Sequence, residues 1–304
     1  MKQLLILSGK GGTGKTTVAS AFIKLSEVRA YADCDVDAPN LHLISGWSGE
    51  PRRSDYYGLP QAKIDTKICI ECDRCRQSCR FGAITSEGGY RVDPYACEGC
   101  GVCELVCPVG AAALSPAVAG ELMLHSDEER VFSTAQLKMG SGTSGLLVSE
   151  VKKHMKDEAE ANPKVARSKL AIIDGSPGIG CPVIASLSGV DMVLIVAEPS
   201  VSGISDMERI IQTAAKFAVE TVVCVNKYDT NIANTERIEA LCQERGLHFT
   251  GKIPFDPDAV KAINNGMTIV DLDCASGEAV KAVYEKTLGL LFDEGELTEL
   301  KTEK

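Results

Sequence analysis

Leu4-Leu5-Ile6-Leu7-Ser8-Gly9-Lys10-Gly11-Gly12-Thr13-Gly14-Lys15-Thr16 carries the chain from a short apolar strand into a complete G-x4-G-K-[ST] phosphate loop. Glycines 9, 11, 12 and 14 let backbone N–H groups approach phosphate oxygens, and a helix starting near Lys15 points its positive dipole end at them. Lys15 is expected on the β and γ phosphates. Thr16 is expected to ligate Mg2+ through its hydroxyl, with Thr13 and Thr17 completing the nucleotide-binding stretch. Asp174 ends the apolar run Ala171-Ile172-Ile173 and is the acidic group expected to orient the metal's waters.

Working outward, Val28 to Ala32, Leu170 to Ile173, Met192 to Ala197 and Thr221 to Val225 read as buried parallel strands. Between them, Ile204, Met207, Ile210, Ile211, Ala214 and Phe217 recur at helical spacing and give one face to pack on a sheet. The fold class is therefore α/β, a doubly wound, mostly parallel sheet. Residues 120–138 alternate on either side of a polar centre, as in a β-hairpin.

The alternation is interrupted by Cys69-x2-Cys72-x2-Cys75-x3-Cys79 and Cys97-x2-Cys100-x2-Cys103-x3-Cys107-Pro108. This spacing wraps two 4Fe-4S clusters, the fourth cysteine of each run ligating the cluster held mainly by the other. One cluster takes Cys69, Cys72, Cys75 and Cys107, and the other takes Cys97, Cys100, Cys103 and Cys79. Zinc is the competing reading, but four thiolates in so short a run do not fit ribbon spacing. Residues 62–116 are expected to form an inserted, internally duplicated α+β unit of bacterial ferredoxin type, and residues 1–61 with 117–304 the phosphate-loop domain. Too small to build a sufficient core, the insert should depend on its clusters. Arg80 replaces the proline expected after Cys79, a cation that would raise the potential of the neighbouring cluster.

The chain has 304 residues, 44% of them apolar, thirteen cysteines and a net charge of −10. It opens without the marks of an export signal, so the thiols point to a reducing cytoplasm. No run approaches membrane-spanning length, and the charge disfavours nucleic acid, so neither membrane nor nucleic acid is an expected partner. The mixed-charge stretches Lys152 to Glu160 and Asp293 to Lys304 read as solvated surface. Histidines 42, 125, 154 and 248 form no metal-ligand spacing.

With Lys10 as a second lysine in the loop, the chain resembles the deviant-Walker ATPases that include MinD, ParA and the nitrogenase iron protein. The resemblance covers most of residues 1–60 and 117–280. It implies an ATP-dependent homodimer in which Lys10 reaches the partner's nucleotide. It also implies that Asp35, in Ala32-Asp33-Cys34-Asp35-Val36-Asp37, lies in switch I and helps position the attacking water. Asp33 is an auxiliary candidate, and Asp37 fits a helix start before Ala38-Pro39-Asn40. Switch II would be Asp174 to Gly180. Asn226-Lys227-Tyr228-Asp229 follows a strand and reads as a base-reading motif whose letters also fit guanine recognition; the loop type favours ATP, with Asn226 on the base. Ile253-Pro254-Phe255-Asp256 resembles the later loop beside the base.

Among the remaining cysteines 34, 181, 224, 242 and 274, buried packing is the default. Cys181 stands seven residues after Asp174, the spacing of a cluster-bridging cysteine in the nitrogenase iron protein. The other bridging position falls at serine in Gly140-Ser141-Gly142-Thr143-Ser144-Gly145, so no interface cluster is expected. Three functions follow: an ATPase switch coupled to electron transfer toward a redox or metalloprotein partner; an iron-sulfur or metallocofactor carrier; or a MinD-like or ParA-like organiser. The acidic tail disfavours the last.

Overall fold

The computed structural model describes residues 1–44, 46–47 and 49–297. In chain order the strands are β1 (Lys2–Leu7), β2 (Ala30–Asp33), β3 (Arg52–Tyr57), β4 (Gln61–Ile64), β5 (Ile84–Thr85), β6 (Arg91–Val92), β7 (Ala112–Ser115), β8 (Val118–Ser126), β9 (Val131–Leu137), β10 (Leu170–Asp174), β11 (Met192–Ala197), β12 (Glu220–Asn226) and β13 (His248–Ile253). The helices are α1 (Lys15–Ser26), α2 (Arg74–Gln77), α3 (Val102–Leu105), α4 (Ser144–Ala161), α5 (Cys181–Leu187), α6 (Val201–Lys216), α7 (Ile232–Glu244), α8 (Asp258–Asn264) and α9 (Ala275–Leu291).

Nine strands form one sheet in the order β13-β12-β11-β1-β10-β2-β9-β8-β3. The first seven in this order run parallel, and the β8–β9 hairpin and β3 close one edge in antiparallel pairing. This is the doubly wound, mostly parallel sheet expected, with the hairpin at 118–137 in place. Side-chain alternation along β1 explains the two layers. Leu5 and Leu7 pack into the core covered by α4 to α7, whereas Leu4 and Ile6 face α1 and α9. Every residue of β11 is buried. Each fully buried aliphatic side chain contributes about 1.5–3 kcal/mol, comparable to the roughly 1–2 kcal/mol of backbone entropy lost per residue. The central strands are thus favoured by their own composition. Edge strand β3, Arg-Arg-Ser-Asp-Tyr-Tyr, buries only Tyr56 and takes its place through pairing with β8.

Two boundaries and one surface depart from expectation. The second strand begins at Ala30 rather than Val28. No helix starts after Asp37; that stretch is a loop leading to a 3-10 turn at Leu41–Leu43. The charged stretch Lys152 to Glu160 belongs to α4, whose Leu147, Val148, Val151, Met155 and Ala159 are buried. Lys152 itself is drawn inward, donating to the carbonyls of Ser186 and Ser188 at 2.6 Å each. Burial lowers its pKa to about 8. In the acidic tail, Glu296 pairs with Lys2 at 2.7 Å, and residues 298–304 lie outside the described residues.

Between β4 and β7, which pair with each other, the chain forms a small unit with a second two-stranded sheet, β5–β6. Its two halves repeat at an offset of 28 residues. Left-handed backbone recurs at Glu71 and Gly99, Asp73 and Gly101, and Gly82 and Gly110. Matching hydrogen bonds run from Cys69 N to Asp65 O and from Cys97 N to Asp93 O. The unit's own core is Ala62, Cys75, Ile84, Tyr90, Cys103 and Ala112, two of the six being cysteines.

Candidate functional site

The phosphate loop leaves β1 at the sheet centre, between β10 and β11. Gly14, at φ +92°, precedes α1 without a side-chain cap bond, so the first-turn N–H groups face a cleft of about 460 Å3. A helix start of this kind attracts anions. A Cβ at Gly14 would collide with the Asn226 amide. Thr13 Oγ lines the cleft, buried and without a hydrogen-bond partner, a donor left for a ligand.

Lys15 and Asp174 form a buried ion pair, Nζ to Oδ1 2.5 Å, and Thr16 Oγ donates to Asp174 Oδ2 at 2.7 Å. Burial opposes the Lys15 charge, but Asp174, Asp33 and Asp35 outweigh it and raise its pKa. The three groups expected to handle phosphate and Mg2+ are therefore in mutual contact. The loop after Asp174 is tied to its neighbours: Gly175 N donates to Ile6 O, Gly178 N to Ser8 O, and Ser176 Oγ to Cys34 O.

Asp35 lines the cleft, half-buried, its pKa raised by burial against the pull of Lys15. Asp33 is fully buried and accepts from the backbone N–H groups of Asp35, Asn40 and Leu41, each at 3.0 Å. It scaffolds the loop that carries Asp35. Burial and the Asp174 carboxylate push Asp33 up to about 7.

Lys10 turns to Glu198, Nζ to Oε2 2.8 Å, and to Ser200 Oγ at 3.1 Å. Sequence reading did not single out Glu198. Gly9 lies away from the cleft lining and lets the loop pass Asp206. Asn226 donates to Thr13 O at 2.7 Å, and Lys227 Nζ to Gly12 O at 2.7 Å. Both brace the phosphate loop. Asp229 accepts from Phe255 N at 2.7 Å, and Phe255, Val260 and Ile263 give the cleft an apolar far end.

In the cysteine unit, one small cavity is lined by Cys69, Cys72, Cys75 and Cys107, the other by Cys97, Cys100, Cys103 and Cys79. Cys107 Sγ accepts from Ala111 N at 3.2 Å and Ala112 N at 3.5 Å, and such donors hold its thiol below the ordinary value. Among the described residues, no three His, Cys, Asp or Glu side chains converge closely enough to hold a single metal ion. Elsewhere, Cys34 and Cys224 are buried and pushed up to about 12 by burial, and Cys242 to about 11. Cys274 is half-buried and Cys181 exposed.

Residues 4–269 match the model of the CobQ/CobB/MinD/ParA nucleotide-binding domain. The chain belongs to that family. An uncharacterised protein of Methanocaldococcus jannaschii is 32% identical over 93% of this chain and 95% of its own. An iron-sulfur cluster carrier protein of Pyrococcus horikoshii is 23% identical over 95% of this chain and 86% of its own. The cell-division ATPase MinD of Pyrococcus furiosus shares the fold, with a TM-score of 0.57 at 17% identity, over 95% of this chain and 99% of that one. Among the described residues no helix is long and apolar enough to cross a membrane.

Proposed function

We propose that the protein is an ATPase whose nucleotide state controls an inserted two-cluster iron-sulfur module for electron transfer to a partner protein. The observation that carries this reading is the pair of cysteine cavities, each lined by three thiols of one run and the fourth of the other. Eight thiols in two closely spaced runs, surrounding two cavities, suit polynuclear centres better than the paired spacing of zinc sites. When bound, two 4Fe-4S clusters supply one-electron storage and relay. The unit's core is too small to stand alone, so cluster binding and folding are linked.

At the other site, Lys15 is ready to take β and γ phosphates, Thr16 the metal, and Asp174 the metal's waters once phosphate displaces it from Lys15. Asp35 is the group that positions water. Asp229, the residue that would read guanine, is engaged by Phe255 N, which favours ATP. Lys10 must exchange Glu198 for a partner's phosphate when two copies close on ATP. The insert comprises residues 62–116.

The test is anaerobic electron transfer from the reduced protein to a viologen acceptor, with and without Mg-ATP. Nucleotide-dependent rates are expected; equal rates would remove the coupling. Likeness to the carrier protein favours a second reading, delivery of iron-sulfur centres. Transfer of radiolabelled iron to an apo-ferredoxin would support delivery, and retention through many turnovers would reject it.

A further inference from the structure

We propose that movement of the loop 174–180 reaches the second cysteine cavity through a packed relay of α5, α4, Thr143, the linker 58–60 and Gly99. The relay deepens the coupling proposed above and rests on it, naming the route and the cavity that responds.

Each joint is a close approach. Helix α5 begins immediately after Gly180 and is gripped by α4 at both ends. At its start, a Cβ at Gly145 would lie 3.1 Å from both Cys181 Cβ and Cys181 O. At its finish, Lys152 Nζ holds the carbonyls of Ser186 and Ser188. Displacement of α5 therefore carries α4 with it. Immediately before α4 stands Thr143, against which the linker packs: a Cβ at Gly58 would lie 2.8 Å from Thr143 Oγ and 2.7 Å from Ala119 Cβ. Two residues on, the Pro60 carbonyl oxygen occupies the space that a Cβ at Gly99 would need. Gly99, at φ +64°, lines the second cavity between Cys97 and Cys100. Gln61 Nε2 adds a hydrogen bond to Pro94 O at 2.8 Å.

At three successive joints, then, the sequence places glycine at a close approach: at Gly58 and Gly99 a Cβ would force the contact apart, and at Gly145 it would be tight. Packed interiors transmit displacement because they compress little, and coupling between distant sites travels through such contiguous contacts. The Thr143 side chain has no competing hydrogen bond: its hydroxyl is buried without a partner and makes no cap bond to α4, while its carbonyl accepts from Leu147 N and the Tyr56 hydroxyl. Gly99 lies in the second run and Pro94 just ahead of it, so the cavity of Cys97, Cys100, Cys103 and Cys79 should respond and the other should not.

The test is hydrogen exchange of the anaerobically purified, full-length protein with and without Mg-ATP, alongside electron paramagnetic resonance of the reduced protein. Cys72→Ser and Cys100→Ser assign the two signals. In wild type, amides of residues 93–101 should change exchange rate at least threefold on Mg-ATP while those of 65–73 do not, and only the second signal should shift. Thr143→Ala loosens the Gly58 joint without removing a hydrogen bond. It should reduce both responses by more than half, with iron content unchanged and Mg-ATP affinity within twofold. Lys152→Met, which releases the far end of α5, should act in the same direction. If wild type responds and both variants retain the full response, or if the first cavity responds as strongly, the relay is overturned. A wild type whose exchange and spectra ignore Mg-ATP would overturn the coupling itself, and the relay with it.

Discussion

The Lys15–Asp174 pair makes an opposed prediction for stability and for nucleotide binding. Asp174 is fully buried and Lys15 is 5% exposed, so Asp174→Asn leaves a buried ammonium without its closest counter-charge. Removing one partner of a buried pair costs about 3–5 kcal/mol. Asp33 and Asp35 still favour the Lys15 charge, which places the cost near the lower end, about 3 kcal/mol. At about 2–4 °C per kcal/mol for a large domain, the nucleotide-free protein should melt about 6–12 °C lower. Binding behaves differently. Under the proposed function, phosphate takes Lys15 from Asp174 in wild type, whereas in the variant Lys15 is already released. Mg2+-free ATP should therefore bind more tightly to Asp174→Asn, by about tenfold if about 1.4 kcal/mol of the pair's energy is recovered, while the gain from added Mg2+ is lost. Calorimetric melting and isothermal titration in EDTA and in Mg2+ measure all three. An unchanged melting temperature together with tenfold weaker Mg2+-free binding would refute the competition for Lys15.

Three further outcomes are expected. Asp33 keeps its proton up to about pH 7 in the folded chain, whereas the unfolded chain releases it near 4. The native state therefore binds more protons between pH 4 and 7, so this group's contribution to stability falls as pH rises through that window. Asp33→Asn should flatten that slope in denaturant titrations, and an unaltered slope would discount the shift. Asp73 holds left-handed backbone where its repeat mate is Gly101, and it accepts from Arg76, Gln77 and Tyr90 beside the first cavity. Asp73→Gly relieves the backbone yet should make about half of the chain's iron more labile to chelator, with the resonance spectrum showing which centre is lost; iron release matching wild type would rule the clasp out. In anaerobic affinity capture with ATP, Asp35→Ala should retain a client that Lys15→Ala does not, and equal recovery from both would contradict the switch.

The parallel core was legible because its strands are continuous apolar runs buried on both faces, as Met192 to Ala197 shows, and the phosphate loop because its glycines and lysine have one geometric use. The repeat of the insert was legible from cysteine spacing alone. What escaped was settled by long-range contacts. β13 reads His-Phe-Thr-Gly-Lys-Ile, with a register shift in its pairing to β12 and Gly251 in the left-handed region, so its pattern does not alternate. In α4 the apolar positions Leu147, Val148, Val151, Met155 and Ala159 lie among charges that drew the eye to solvent. Asn226 was read as facing a base; it lines the cleft, and the contact its sequence context did not announce is the one its amide makes with Thr13 O. Glu198 became visible as the partner of Lys10 only once β11 and the phosphate loop were side by side.

On this reading the occupant of the nucleotide cleft alters the iron centres of the insert. Anaerobic potentiometric titration of the full-length protein, with the cleft empty and then saturated with Mg-ATP, tests it most directly. The potential of the centre held by Cys97, Cys100, Cys103 and Cys79 should move while the other stays in place; superimposable titration curves would show that cleft and clusters are uncoupled.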